Sequence, residues 1–295
     1  MNDEIKRGEV SISVGGVRCR ITLDDKEFLN GVRDCYYDFL SNGNADFSLN
    51  ISYIKKNKKQ TDTVNNKDNP EFFESEEIHF DDDRYHITSE HSDGYFYPNA
   101  KRGEFSIESP KRWQMFSLRS ILKACYSLVF LKQGGILVHA VGLKKCGRGF
   151  VLMGPSQSGK SSMGKLSGML PDCKVLSDEF IFAKKIGDDV KIFGTPFGGE
   201  LPATNSSANL AGLFFLNSES SPKKSLFKKL KQSSILENCL LNSHLYMCVN
   251  LEKNPGLGRR IFKVLSKTFV NIPGYSLTLL PYINLLRDLD RVCKQ

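Results

Sequence analysis

Residues 149–161 read GFVLMGPSQSGKS, and this stretch decides the fold expected for the second part of the chain. Gly149–Met153 predicts a buried strand, and residues 154–161 match the pattern G-x-x-x-x-G-K-[ST]. At this spacing, small residues let successive backbone N–H groups curl around a phosphate. The helix that follows, predicted from Lys160 to about Leu170, directs its positive end at the same anion. The sequence therefore predicts a phosphate-binding loop.

Each position of the loop has an expected role in a nucleotide site. The Lys160 ammonium would reach the β- and γ-phosphates of ATP, and the Ser161 hydroxyl is a candidate ligand of Mg²⁺. The alternative is a Gly/Ser-rich turn with a surface lysine, which the preceding strand and following helix make less favoured. The residues expected to contact the nucleotide are Gly154, Ser156, Gln157, Ser158, Gly159, Lys160, Ser161 and Ser162.

A carboxylate pair follows the loop at a position that suits phosphate chemistry. Val175–Glu179 predicts a strand, so strand, loop, helix and strand form a βαβ unit with parallel strands. The carboxyl ends of both strands then share one sheet edge, which brings Asp178 beside the loop. There Asp178 could hold Mg²⁺ or accept a proton, whereas Glu179 would face the opposite side of the sheet. A solvent-facing acidic pair is the alternative.

Two further residues are candidates for the same site. Ile136–Gly142 predicts a strand, and a hairpin centred on Lys145–Cys146 pairs position 139 with about position 152. His139 then lies at the mouth of the loop, where phosphate contact, proton transfer and a structural role are all open. A Gly/Pro loop ends in Glu200, a candidate second Mg²⁺ ligand or a plain loop glutamate.

The composition divides the chain into two parts. Residues 1–112 carry a net charge of −6 and are rich in short strand patterns, including a hairpin that turns at Gly15-Gly16. Residues 113–295 carry +14 and open on the helical pattern of Trp113–Leu131. We expect a β-rich N-terminal domain of unknown role over 1–112 and an α/β nucleotide-binding domain over 113–295. The chain as a whole is then α+β, and its basic part suits a negatively charged partner.

Other features limit the class of protein. No apolar run approaches the ~20 residues of a membrane span, and Met1–Arg7 lacks the apolar core of a signal peptide, which favours a cytoplasmic protein. Residues 222–241 predict a basic amphipathic helix. That helix is compatible with a solvated face, with nucleic-acid or membrane binding, or with a groove that guides an acidic peptide. We do not expect nucleic acid as the partner.

These motifs together resemble the HPr kinase/phosphorylase family, whose phosphate-loop core is shared with ATP-dependent phosphoenolpyruvate carboxykinases. The resemblance is carried by Gly134–Ala140 with its histidine, by Gly154–Ser161, by Asp178-Glu179 and by Gly194–Glu200. The resemblance is strongest to the stand-alone HPr-kinase-like proteins of peptide-modifying gene cassettes. It implies a core with a mixed sheet and the transfer of a phosphoryl group from Mg-ATP to a serine or threonine hydroxyl of a peptide or small protein.

The resemblance also implies roles for individual residues. Lys160 and Ser161 would hold the phosphates and Mg²⁺, Asp178 would be the general base with help from His139, and Glu200 would assist at the metal. The family usually has two aspartates where this chain has Asp178-Glu179. The alternative function is a non-catalytic, nucleotide-binding regulatory or peptide-binding module, and a small-molecule kinase is a weaker third. Self-association into a homo-oligomer stays open.

Overall fold

The computed structural model describes residues 8–54, 76–81, 83–108, 111–155, 157–217 and 226–278. Over these residues it contains two mixed β-sheets and six α-helices. Two compact units share them: one from Met1–Ser13, Arg18–Tyr126 and Cys248–Asn250, and the other from the remaining residues. The predicted domain boundary after residue 112 stays a prediction. Within the described ranges, no helix combines the length and apolar character needed to cross a membrane.

The first unit is built on a seven-stranded sheet in the order β1-β2-β3-β7-β6-β5-β4. Strands β2, β3 and β7 run parallel to one another, and β7, β6, β5 and β4 form an antiparallel meander. Its elements are β1 Gly8–Val14, β2 Val17–Leu23, α1 Lys26–Cys35, β3 Phe47–Tyr53, β4 Glu77–Asp81, β5 Arg84–Ser89, β6 Ser92–Tyr97, β7 Arg102–Ile107 and the larger part of α2 Lys111–Lys132.

The side chains that form the core of this first sheet come from alternate residues of its strands. Every second residue of β2, from Val17 to Leu23, is buried, while the residues between them are half-exposed. The buried face is covered in part by α2, whose Tyr126 hydroxyl donates to the Ile12 carbonyl at 3.1 Å. The Tyr126 ring also meets Phe47 edge-on at 5.0 Å. The chain turns between β1 and β2 at Gly15-Gly16, as the sequence predicts, with positive φ at both glycines.

The second unit holds the predicted phosphate loop. Its sheet has the order β11-β9-β10-β14-β13-β12-β8, with β16 beside β14 and β15 beside β16. The elements are β8 Gly135–His139, β9 Val141–Lys145, β10 Arg148–Met153, α3 Lys160–Gly168, β11 Cys173–Ser177, β12 Phe180–Ile186, β13 Asp189–Gly194, β14 Ser207–Asn217, β15 Leu226–Lys229, α4 Gln232–Leu241, α5 His244–Cys248, α6 Pro255–Phe269 and β16 Gly274–Thr278.

The topology brings the carboxyl ends of two parallel strands to one edge of the sheet, and a third strand lies between them. β9 pairs antiparallel with both β10 and β11, so β10 and β11 run in the same direction with β9 between them. β10 is also parallel to β14, which in turn is parallel to β16. The phosphate loop leaves the end of β10, and Asp178 follows the end of β11. Both therefore lie at the same edge of the sheet.

A bend in two paired strands shapes this edge. The predicted strand Ile136–Gly142 is interrupted at Ala140, which separates β8 from β9, and residues 178–179 separate β11 from β12 in the same way. The two interruptions face each other, because the Ala140 N–H donates to the Glu179 carbonyl at 2.8 Å. The ribbon therefore changes direction where the carboxylates lie.

One predicted helix is wrong at its start. Residues 226–229 form strand β15, and the helix α4 begins only at Gln232. The strand is favoured because its backbone pairs antiparallel with β16, and because Phe227 packs edge-on against Phe214 with ring centroids 6.2 Å apart. Lys228 and Lys229 are exposed on this strand. Residues 218–225, which include Lys223 and Lys224 of the predicted helix, lie outside the described residues.

Candidate functional site

The phosphate loop runs directly from β10 into α3. Gly159 precedes the first helical residue with a φ of 93°, in the left-handed region that glycine adopts without steric cost. Gln157 also has a positive φ, 61°, which costs a residue with a side chain about 1 kcal/mol. Strained residues of this kind cluster at ligand-binding turns. Ser156, predicted to contact the nucleotide, lies outside the described residues.

Lys160 is held inside this loop. The residue is 8% exposed, and its ammonium donates to the carbonyls of Gly154 at 2.6 Å and Pro155 at 2.9 Å. Burial lowers the pKa of Lys160, and the Glu179 carboxylate partly offsets that effect. A positive charge thus lies within the turn that would surround a phosphate.

A buried hydroxyl in the same loop has an unmet hydrogen-bonding capacity. Ser158 is buried, and among the described residues its Oγ has no hydrogen-bond partner. An unsatisfied buried polar group costs about 1–3 kcal/mol, and a phosphate oxygen would supply the missing acceptor. The loop is also closely packed, since a Cβ on Gly154 would lie 2.8 Å from Ser158 Oγ and 2.9 Å from the Leu216 carbonyl. Only glycine fits there.

The first turn of α3 offers two accessible hydroxyls. Ser161 and Ser162 directly follow Lys160, and both are exposed. The N-terminus of a helix carries a partial positive charge and unpaired N–H groups, which favour an anion. Serine hydroxyl, carboxylate and phosphate oxygens are the ligands that Mg²⁺ prefers. The residues of this turn therefore fit a Mg-nucleotide, with Ser161 as the hydroxyl that would reach the metal.

The Asp178 carboxylate is hydrogen-bonded to the backbone of a loop, residues 199–201. The residue is 6% exposed, and its carboxylate accepts three N–H bonds: from Gly199 at 2.7 Å, Glu200 at 2.8 Å and Leu201 at 2.9 Å. The hydrogen bonds use both carboxylate oxygens, because Oδ1 takes the first and Oδ2 takes the other two. The residue lies at the predicted edge of the sheet, where it orders residues 199–201.

Glu179 faces the same side as Asp178, contrary to the expectation from strand alternation. A Cβ on Gly199 would lie 3.2 Å from Asp178 Oδ2 and 3.5 Å from Glu179 Oε2. The reason is the bend at residues 178–179, which ends the regular pleat at Ser177. Glu179 is also the carboxylate whose charge acts on Lys160. The sequence did not predict that Glu179 lies on the same side as Asp178. Its only indication was an acidic residue next to Asp178.

Glu200 is held by a lysine of α3 in this structure. Its carboxylate lies 2.6 Å from the Lys165 ammonium, and both side chains are more than half exposed. The hydrogen bond between them lowers the pKa of Glu200 and raises that of Lys165. Its backbone N–H, not its carboxylate, contacts Asp178. The role of Glu200 as a metal ligand stays a prediction.

His139 lies at the bend, although its strand pairing differs from the predicted one. The position paired with Leu152 is Val141, and His139 ends β8 opposite Phe180 of β12. Its ring lies 5.4 Å from the Phe180 ring, and its backbone N–H donates to the backbone carbonyl of Asn242 at 2.7 Å. The hairpin is centred one residue later than predicted, and Ala140 breaks the strand. His139 is therefore paired with Phe180, the residue that follows Glu179.

Comparison with known proteins adds little to this site. No family model matches the chain, and no curated protein matches its sequence. Among solved structures, the Hpr(Ser) kinase/phosphatase from Coxiella burnetii matches over 54% of this chain and 95% of its own, at 14% identity and a TM-score of 0.30. A likeness this low does not establish a common fold. The candidate site therefore stands on its own residues.

Proposed function

We propose that the second unit binds ATP with Mg²⁺ and transfers a phosphoryl group to a serine or threonine hydroxyl of a peptide or small protein. The observation that carries the nucleotide site is the buried Lys160 ammonium, enclosed by a strained turn at the N-terminus of α3. The unsatisfied Ser158 hydroxyl in the same turn supports an oxygen-rich ligand. The acceptor class rests on the resemblance of the motifs alone.

Each residue of the site would have a different role in such a reaction. Lys160 and the N-terminal turn of α3 would bind the β- and γ-phosphates and oppose the charge that develops on the transferred group. Ser161 would hold Mg²⁺, which when bound neutralises phosphate charge, and Asp178 and Glu200 are the other candidate ligands. A carboxylate at the bend, Asp178 or Glu179, would take the proton of the attacking hydroxyl, with His139 beside the bend.

One observation favours a second function. Both oxygens of the Asp178 carboxylate are occupied by backbone N–H groups of residues 199–201. Three of the roughly four lone-pair positions of the carboxylate are then filled by the loop, which leaves one for a substrate or a metal ion. This favours a non-catalytic module that binds a nucleotide and signals its presence through the loop, and the first unit would then bind the peptide.

A transfer assay separates the two functions. The full chain is incubated with γ-labelled ATP, Mg²⁺ and the serine- and threonine-containing peptides encoded beside its gene. The kinase proposal expects label on a peptide with wild-type protein and its loss in Lys160→Ala. Binding of ATP without transfer to any of these peptides would favour the regulatory module. Undiminished transfer by Asp178→Asn would remove Asp178 as the base.

A further inference from the structure

Two cavities of the first unit share a wall. Their volumes are about 330 Å³ and 350 Å³, and Arg20 of β2 lines both. Residues 40–43, in the segment before β3, line one cavity, and residues 44–46 of the same segment line the other. Because the cavities share Arg20 and one segment of chain, they form a single groove that crosses this side chain, which we call the Arg20 groove. Each half has the volume of a small ligand site.

Arg18 fixes the segment that forms this groove. Its guanidinium donates to the Asn44 carbonyl at 2.7 Å and to Ser41 Oγ at 3.2 Å. Its backbone N–H donates to Asp46 Oδ2 at 2.8 Å. A Cβ on Gly43, whose φ is 107°, would lie 3.1 Å from Arg18 Nη1, so a glycine lets the chain lie directly on the guanidinium. The wall of the groove is therefore organised before a ligand binds, which lowers the cost of binding.

Positive side chains line the groove along its length. Arg33 lines one cavity, Lys101 lines the other, and Arg20 lies where the two meet. The Arg20 side chain is 43% exposed and pairs with Glu9 at 3.9 Å, whose own side chain is 59% exposed. An exposed ion pair contributes only about 0–1 kcal/mol. A carboxylate from outside can therefore replace Glu9 at Arg20.

These cations lie in the part of the chain that carries an excess of acid. Residues 1–112 have a net charge of −6. Asp46 also lines the Lys101 cavity, but one of its carboxylate oxygens already accepts the Arg18 N–H. Interactions between exposed charges are largely screened beyond about 8 Å at physiological ionic strength. The cations of the groove, and not the net charge of this part, therefore decide which ligand binds there.

The lining of the groove favours a peptide over a nucleic acid. Single-stranded nucleic acids bind largely by stacking their bases on accessible aromatic rings. The aromatic residue of the lining is Phe47, which is 2% exposed and packs edge-on against Tyr126 and Phe96. Side chains that both donate and accept hydrogen bonds, as a peptide backbone requires, make up much of the walls. They are Ser11, Ser41, Asn42, Asn44 and Ser48.

We propose that the Arg20 groove binds an extended acidic peptide, whose carboxylates pair with Arg33, Arg20 and Lys101. An arginine can bind a carboxylate through two parallel N–H bonds, which fixes the orientation of the ligand. The inference rests on the proposed function only in taking a peptide as the partner. It does not require that the phosphate site is occupied or that a phosphoryl group is transferred.

Equilibrium titration of the full chain with defined ligands, without nucleotide, tests the groove. The probe is a ten-residue peptide of alternating glutamate and serine, and its neutral counterpart has glutamine in place of glutamate. Inorganic phosphate and a ten-nucleotide oligothymidylate represent the other anions. The variants are Arg20→Gln and Glu9→Gln. The control is Lys26→Gln, which removes a charge from an exposed position of α1 that does not line the groove.

The proposal gives each protein a different expected result. The wild type binds the glutamate peptide at least about tenfold more tightly than the glutamine peptide, because charge-assisted hydrogen bonds are stronger than neutral ones. Arg20→Gln binds the glutamate peptide at least about tenfold more weakly. Glu9→Gln binds it about twofold more tightly or better, since a competing carboxylate is removed. Lys26→Gln changes the affinity by less than about twofold. Phosphate and the oligothymidylate bind the wild type more weakly than the peptide.

Equal binding of the two peptides, or equal losses in Arg20→Gln and Lys26→Gln, would overturn the proposal. Tighter binding of phosphate or of the oligothymidylate would also overturn it, because the groove would then belong to a different ligand. If Arg20→Gln does not fold, hydrogen exchange of the wild type decides. The amides of residues 41–46 must exchange more slowly when the glutamate peptide is bound, and unchanged exchange refutes the groove.

The same titrations separate this inference from the proposed function. Lys160→Ala is expected to keep the peptide affinity of the wild type, because the groove is built from residues of the first unit. Wild-type protein that binds the peptide but no ATP refutes the proposed function and leaves the groove standing. Wild-type protein that binds ATP but does not prefer the glutamate peptide refutes the groove alone.

Discussion

At the scale of single residues, the phosphate loop combines a strained backbone with a buried charge. Gly159 and Gly147 both have positive φ, 93° and 79°, but only Gly159 adjoins Lys160, while Gly147 lies in the exposed turn between β9 and β10. The same substitution at the two positions therefore separates the cost of backbone strain from an effect on phosphate binding.

The first prediction compares Gly159→Ala with Gly147→Ala. Each destabilises the folded protein by about 1 kcal/mol, because alanine is disfavoured in the left-handed region. Only Gly159→Ala also weakens ATP binding, by about tenfold or more, since it displaces the amides at the start of α3. Urea unfolding gives the stability, and titration with Mg-ATP gives the affinity. Equal loss of affinity in both variants would show that the loop is not the phosphate site.

The second prediction concerns the unsatisfied hydroxyl of Ser158. Without nucleotide, Ser158→Ala stabilises the protein by up to about 1 kcal/mol, because a buried hydroxyl without a partner is removed. With Mg-ATP, the same variant binds more weakly than the wild type. Ser127→Ala is the control, since its buried hydroxyl is hydrogen-bonded to His244 Nδ1 at 2.8 Å. That control loses about 1–3 kcal/mol and keeps its nucleotide affinity. Thermal unfolding with and without Mg-ATP measures both effects, and destabilisation by Ser158→Ala would contradict the account.

At the scale of elements, amphipathic packing holds the second unit together, and α6 is the clearest case. Ile261 is fully buried, whereas the next residue, Phe262, lies about 100° further around the helix and is 54% exposed. The helix packs against α4 and the sheet strands β8 and β12. Its stabilising contribution therefore comes from one face of the helix.

The third prediction uses these two neighbours as a matched pair. Ile261→Ala lowers the free energy of unfolding by about 2–5 kcal/mol, since it leaves a cavity between α6 and its neighbours. Phe262→Ala lowers it by about 0.5 kcal/mol or less, although a larger side chain is removed. Urea denaturation of both variants measures the difference. A greater loss in Phe262→Ala would mean that the buried face of α6 is assigned incorrectly.

The elements also explain how far the sequence predicts the fold. The strand, loop and helix around Gly154–Ser161 follow from a local pattern, and the structure has all three. The breaks at Ala140 and at residues 178–179 do not follow, because residues 136–141 contain no glycine, proline or other turn-forming residue and residues 175–179 match a strand pattern. β15 is missed because its strand conformation depends on pairing with β16, which is distant in the sequence. Long-range pairing of this kind leaves no local signal.

The same reasoning applies to the candidate site. Lys160 and Ser161 belong to a motif, so their placement at the start of α3 could be predicted. The orientation of Glu179 could not, because it depends on an irregular bend where alternation does not hold. The three amides that bind Asp178 come from a loop more than twenty residues away, which no spacing rule predicts.

At the scale of the whole molecule, the chain joins an acidic and a basic part. Residues 1–112 carry −6 and residues 113–295 carry +14, and the candidate phosphate site belongs to the basic part. Positive charge raises the local concentration of an anionic ligand such as a nucleotide. The two compact units are expected to respond differently to that ligand.

The fourth prediction is that Mg-ATP stabilises only the unit that contains the loop. At a concentration 100 times its dissociation constant, a ligand adds about 2.7 kcal/mol to the stability of the unit that binds it. Hydrogen exchange of the full chain with and without Mg-ATP is therefore expected to slow in β10, α3 and residues 199–201. The strands of the first unit, β1 to β7, keep their exchange rates. Protection confined to the first unit would contradict the site.

The central claim is that Lys160 binds the phosphates of a nucleotide, and equilibrium titration of Mg-ATP into the full chain tests it most directly. Lys174 on β11 is exposed, so Lys174→Met removes the same charge as Lys160→Met at a position outside the loop. The account predicts saturable binding by the wild type and by Lys174→Met. It also predicts at least about tenfold weaker binding by Lys160→Met, a loss of about 1.4 kcal/mol. No binding by the wild type, or equal binding by all three proteins, would contradict it.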